Sequence, residues 1–149
     1  FDIFDDEKLL NSLQFEDKKM MTKLFTNRKF KFTNNFVEKL TKTFEHAGFH
    51  NNFDFELIKG DVSEKSQEYT RERIGAKISI LYMDLDLEKP TYDVLSNLWS
   101  KVSINGIVVF DEYGYHQWSE TIGVDKFIKE KIIDNIEIDF KENYDKEPF

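Results

Sequence analysis

The sequence contains no cysteine, two prolines and six glycines in 149 residues. Without cysteine there is no disulfide framework, no thiolate zinc site and no cysteine nucleophile. Two prolines and the absence of any Ser-rich or repeated stretch leave nothing that reads as an interdomain linker. The glycines stand at 48, 60, 75, 106, 114 and 123, and no two are spaced as Gly-x-Gly. Neither a dinucleotide-binding glycine turn nor a P-loop is present in this chain. No apolar run approaches the ~20 residues that cross a bilayer, and no secretory apolar region opens the sequence, so a soluble cytoplasmic protein is expected. Positive charge is also scarce: 21 Lys and Arg against 29 Asp and Glu give a net charge of −8. A general binder of nucleic-acid phosphates needs clustered basic residues, so no nucleic-acid partner is expected.

What the chain does have is apolar and aromatic mass. Hydrophobic residues make up 40% and aromatics 15%, with 15 Phe, enough to build one core at a length typical of one domain. Residues 1–33 are rich in Phe and Lys with weak periodicity and read as a lid or mobile segment. Its lysines, from Lys18 and Lys19 to Lys31, suit either a solvated face or an anionic substrate. Asn35 and Glu38 form a capping-box pattern, Phe36, Val37, Leu40, Phe44 and Ala47 repeat at helical spacing, and Gly48 ends that helix. Phe53–Ile58 alternates as a strand, and 63–73 reads as a short polar helix.

The strongest pattern is central. Ile78–Met83 is a nearly continuous apolar run, expected to be a strand buried on both faces, and it stops at Asp84-Leu85-Asp86. Pro90 suits the first turn of a helix whose stripe is Val94, Leu95, Leu98 and Trp99. Asn105-Gly106 leads into Ile107–Phe110, a second buried strand that ends in Asp111-Glu112-Tyr113. A helix follows from about Glu120 to Lys131, with Val124, Phe127 and Ile128 inward, and Ile136–Phe140 alternates as a half-exposed strand. Strand–helix–strand–helix order predicts an α/β fold with parallel strands flanked by helices.

Two apolar strands therefore each end in an acidic pair, Asp84 with Asp86 and Asp111 with Glu112. In open parallel sheets ligands bind beyond the carboxyl ends of the strands. Up to four carboxylates gathered there repel one another unless protons or a cation neutralise them. Hard oxygens in that number suit Mg²⁺, Mn²⁺ or Ca²⁺. A single acidic pair could equally be a solvated turn; two pairs after two apolar strands argue for a site.

Three stretches carry a family resemblance: Ile58-Lys59-Gly60-Asp61, then Leu81–Leu87 with Pro90-Thr91, then Gly106–Gly114. They resemble the macrocin O-methyltransferase family, Rossmann-like class I methyltransferases that use S-adenosylmethionine and a divalent metal. Trp118–Thr121 before Val124–Phe127 is similar to the segment that follows the acidic pair there, and Phe1–Phe4 to the end of the second strand. The resemblance implies that Asp84, Asp111 and Glu112 hold the metal, with Glu112 in a place more often taken by Asp. It implies that Asp2 accepts from the ribose hydroxyls of the cofactor and that Asp61 lies beside its adenine. Asp86 matches an acid of the motif without an assigned contact, and Glu88 departs from the usual Tyr. On this alignment the chain is a single partial domain, 1–149, whose first strand and Gly-rich turn lie upstream of residue 1. Weak or no binding of S-adenosylmethionine by these residues alone is the corresponding expectation.

The implied chemistry is O-methylation of a hydroxyl on a sugar or other small polyol, a nucleotide sugar included. Asp84 or His116 are the candidate bases, and His116 also reads as an exposed loop histidine. Tyr115 and Trp118 could wall the acceptor or cofactor, whereas Trp99 reads as core. Two other functions compete. An Asp-x-Asp glycosyltransferase explains Asp84 and Asp86 but not Asp111 and Glu112. An inert, truncated metal-binding or assembly module would expose a sheet edge and form a homo-oligomer.

Overall fold

Ile78–Met83 forms β1 and Val102–Phe110 forms β2 in the computed structural model, which describes residues 1–2, 6–13, 15–27 and 35–133. The two strands pair in parallel, with Ile80 opposite Ile107, Leu81 opposite Val108, Tyr82 opposite Val109 and Met83 opposite Phe110. Parallel neighbours need a crossover, and Glu88–Leu98 (α5) supplies it, followed by a 3₁₀ turn at Trp99–Lys101. Before β1 come α1 (Asp6–Ser12), α2 (Phe15–Asn27), α3 (Phe36–His46) and α4 (Val62–Glu72); after β2 comes α6 (Glu120–Ile133). The alternating α/β order is thus as the sequence predicts. The expected strand at 136–140 lies outside the described residues.

One face of the sheet is packed. Leu81, Met83, Val108 and Phe110 meet a cluster in which Val94, Leu95 and Leu98 of α5 interlock with Val124 and Phe127 of α6. Val62 and Tyr69 of α4 close the side of that cluster. Each fully buried side chain of this size contributes about 1.5–3 kcal/mol. Trp99 takes its expected place by this core, its ring 5.2 Å from that of Phe127. The α4–α5 contact is polar instead. Asn97 donates to Ser63 O at 3.0 Å and to the buried Ser66 Oγ at 2.9 Å, while the Thr70 hydroxyl donates to Asn97 O at 3.0 Å. Lys101 is buried because its ammonium group donates to the carbonyls of Arg73 and Ile74 at 3.2 and 2.8 Å, where α4 ends.

The other face corrects an expectation. Ile80, Tyr82 and Ile107 are 65%, 59% and 57% exposed, so β1 is buried on one face only. The apolar run hides a period-2 pattern in which Leu81 and Met83 face the helices and Ile80 and Tyr82 do not. Phe53–Ile58 is a second correction. Residues 52–54 form a turn, with a bridge between Asn51 and Phe55, and Phe53 is 88% exposed. Just beyond this segment, Lys59 makes a parallel bridge with Asp2 through Asp2 N–H to Ile58 O (3.1 Å) and Gly60 N–H to Asp2 O (3.0 Å). The Asn35 capping box is a third: α3 begins after Asn35, but no side-chain capping bond forms. Its other end behaves as expected, with Gly48 at φ 92°, a conformation that suits glycine. The first residues carry two helices where periodicity is weak.

Helices α5 and α6 approach closely at Gly123. A Cβ there would lie 2.4 Å from Glu88 O and 3.2 Å from Thr91 Cβ. We expect Gly123→Ala to destabilise the protein by about 1–3 kcal/mol, the range for overpacking a tight contact. A lower urea midpoint with unchanged denaturant slope will show it; an unchanged midpoint will show that the helices separate freely.

Candidate active site at the strand ends

The parallel ladder runs through to the acids. Asp111 N–H donates to Met83 O at 3.0 Å, so the residues after β1 and β2, Asp84 and Asp111, stand side by side. Asp2 belongs to the same group, since its charge acts on Asp84. Partial burial first, then the charges of Asp111 and Asp2, raise the Asp84 carboxyl above its ordinary range. Glu112 is raised likewise by burial and by Asp111 and Asp84. Asp111 accepts a hydrogen bond from the Tyr82 hydroxyl, and that contact is the largest cause pushing the Tyr82 phenol up to about 12.

The loop after β1 is wound tightly. Asp86 has φ 59°, and Leu87 N–H donates across it to Leu85 O at 2.6 Å, a γ-turn of the rarer hand. An aspartate tolerates positive φ better than most side chains. The turn leads directly into α5, whose first amide, Glu88 N–H, donates to Ser119 Oγ at 2.8 Å. Ser119 in turn donates to Asp17 of α2 at 3.2 Å, which brings the N-terminal helices to the rim of the site.

Glu120 is the residue that sequence reasoning missed. It is fully buried, and its two carboxylate oxygens accept from different loops: Oε2 from Leu85 N–H at 3.4 Å and Oε1 from Glu112 N–H at 3.1 Å. Its own N–H donates to Asp86 O at 3.1 Å. Burial raises its carboxyl, while the amides of Glu112, Leu85 and Asp86 pull it back. In the sequence it resembles any acid in the first turn of a helix; the available signal is its position one turn after an acidic strand end. Thr121 adds a further tie by accepting from Gly114 N–H at 2.9 Å.

The structure thus brings Asp2, Asp84, Asp86, Asp111, Glu112 and Glu120 into one electrostatic neighbourhood. Asp61 follows Gly60, whose N–H donates to Asp2 O, and its own carboxylate caps α4, accepting from Ser63 N–H at 2.9 Å. His116 is exposed beside Tyr115, with ring centroids 5.3 Å apart, and among the described residues no hydrogen bond joins it to an acid. The expectation of a ready ligand set is also not met. The donors are hard oxygens in mutual repulsion, chemistry that suits a divalent cation, yet among the described residues no group of three or more His, Asp or Glu is arranged to hold one. Asp111 is drawn to Tyr82 and Asp86 is half-buried in its turn, so proximity of backbones does not converge the side chains.

A parallel α/β sheet with acids at the carboxyl ends of its strands defines a Rossmann-like protein, and comparison with known proteins gives the family. The macrocin-O-methyltransferase (TylF) profile matches residues 13–144, and the chain belongs to that family. A crystal structure of CalS11, a calicheamicin methyltransferase, is 28% identical with a TM-score of 0.57, covering 63% of this chain and 39% of that one. Apo CalS11, described as a TDP-rhamnose 3'-O-methyltransferase of calicheamicin biosynthesis, matches at 28% identity and 0.57 over 66% of this chain and 45% of that one. The chain therefore spans less than half the length of either structure. No curated relative matches the sequence. Among the described residues no helix is long and apolar enough to cross a membrane.

The acid cluster makes stability pH-dependent. Burial first, then Asp84, Glu112, Glu120 and Asp111, push the Asp86 carboxyl from 3.8 up to about 7. A carboxyl that binds its proton more tightly when folded contributes stability that is full below its unfolded pKa and lost as pH rises through its folded one. In chelator, stability should therefore fall from about pH 4 to about pH 7, and Asp86→Asn should remove much of that slope. Urea midpoints across the range check it; an equal slope in the variant would assign the effect elsewhere.

Proposed function

We propose that the protein takes part in S-adenosylmethionine-dependent O-methylation of a sugar or other small hydroxylated substrate, with Asp84, Asp111 and Glu112 holding a divalent cation such as Mg²⁺. Membership of the macrocin O-methyltransferase family supports the reaction class, and the sugar methyltransferase CalS11 supports the substrate class. The observation that carries the site is the alignment of two acid-terminated strands by the Asp111 N–H to Met83 O bond. The family match favours methyl transfer over the Asp-x-Asp glycosyl transfer that Asp84 and Asp86 alone would suggest.

When bound, the cofactor supplies an electrophilic methyl group, and a cation at the acids acidifies a nearby hydroxyl. The chain's own part is to bind and orient. Asp84, exposed at the strand end, is placed to accept the hydroxyl proton. Holding the hydroxyl in line with the methyl group is worth several orders of magnitude in rate. Asp2 is the residue proposed to receive the ribose hydroxyls. Asp61 is the residue proposed to lie beside the adenine, at the start of α4 that its side chain caps.

Thermal melting separates these claims. Mg²⁺ or Mn²⁺ should raise the melting temperature, by a free energy of about 2.7 kcal/mol at a hundredfold excess over the dissociation constant. Asp84→Ala and Asp111→Ala should each abolish that rise, and retention of the full rise in both variants would remove the metal from the proposal. With the metal present, a further rise on adding S-adenosylmethionine but not a nucleotide sugar supports methyl transfer; the reverse supports glycosyl transfer.

A further inference from the structure

We infer that Glu120 is the positioning residue that fixes the spacing between the two acidic loops, and through it the affinity of the site for a divalent cation. The second half of this rests on the proposed function; the first stands on geometry alone. The ladder between β1 and β2 ends at Asp111 N–H to Met83 O, and nothing in it restrains the residues beyond. Glu120 takes over there. One oxygen holds the amide of Leu85, which lies between Asp84 and Asp86, and the other holds the amide of Glu112. A single buried carboxylate so spans both loops, at 0% exposure. Its own amide holds Asp86 O and stabilises the γ-turn at Asp86. The carboxylate presents no hydrogen to either loop, which matters because both of its partners are donors.

That last point selects the variant. Glu120→Gln keeps shape and volume but replaces one acceptor with an NH₂ donor, so only one of the two amides stays satisfied. Glu120→Asp keeps the charge but shortens the arm, so it cannot reach both loops. Amide hydrogen exchange on the whole chain is the first readout. Both variants should exchange at least tenfold faster at Leu85 or Glu112, while Leu81 and Val108 in the strands are unchanged. Mn²⁺ titration followed by water proton relaxation is the second, with Asp111→Asn as control. If wild type binds, Asp111→Asn does not, and both Glu120 variants bind about tenfold more weakly with near-native urea midpoints, the inference holds. If Asp111→Asn loses binding and the Glu120 variants keep it, the metal reading stands and Glu120 is not its positioning residue. If wild type binds no Mn²⁺, the metal reading falls, and exchange alone decides: faster exchange confined to the two loops upholds the clamp, and unchanged exchange overturns it. Exchange that quickens across the strands as well would mark Glu120 as a general stabiliser and overturn the inference too.

Discussion

Two strands that pair in parallel and each end in acid must set like charges side by side. The ladder bond from Asp111 N–H to Met83 O fixes this at Asp84 and Asp111, and much else at this end of the molecule answers it. Like charges repel the more strongly the closer they lie and the less water screens them. The structure offsets the repulsion in several ways. Asp84 stays exposed to water, Asp111 takes a hydrogen bond from Tyr82, and Asp86 shifts toward its neutral form.

The same end of the fold is where packing and polar satisfaction meet. Ser119 and the first turn of α6, with Glu120, Thr121 and Gly123, fall within five residues. Gly123 allows α6 to approach the carbonyl of Glu88, and Ser119 then accepts the Glu88 amide. The approach carries Glu120 into full burial, where its carboxylate is tolerable only because backbone amides surround it. Removing the carboxylate would leave the amides of Leu85 and Glu112 without it, at a cost of about 1–3 kcal/mol for each donor left unsatisfied. Backbone hydrogen bonds to a carboxylate here do what a basic side chain does elsewhere, and they add no positive charge that would compete with a cation.

The sequence was legible where one residue suffices to set local structure. Gly48 ends α3, the Val94, Leu95 and Leu98 stripe faces the core, and both acidic pairs follow apolar strands. It was illegible where a tertiary neighbour decides. The run Ile78–Met83 has no polar residue but Ser79 to reveal an open face, so its period-2 burial is hidden. Phe53–Ile58 alternates as a strand should, yet alternation describes a face to be covered and not the partner that covers it. Asn35 and Glu38 have the capping spacing, but a cap needs side-chain geometry that composition does not fix. Glu120 is the sharpest case, since its partners Leu85 and Glu112 lie 35 and 8 residues away and both contact it through backbone. A backbone donor leaves no residue signature.

The open face of the sheet and the packed face have different consequences for the site. Leu81, Met83, Val108 and Phe110 anchor the strand ends to α5 and α6, so the backbone positions of Asp84 and Asp111 are set by the core. Tyr82 lies on the other face, and it is the residue that reaches Asp111 from there. The acid pair is therefore held from the packed side through the main chain and from the open side through one phenol. A change that withdrew Tyr82 would free the side-chain direction of Asp111 without moving its backbone.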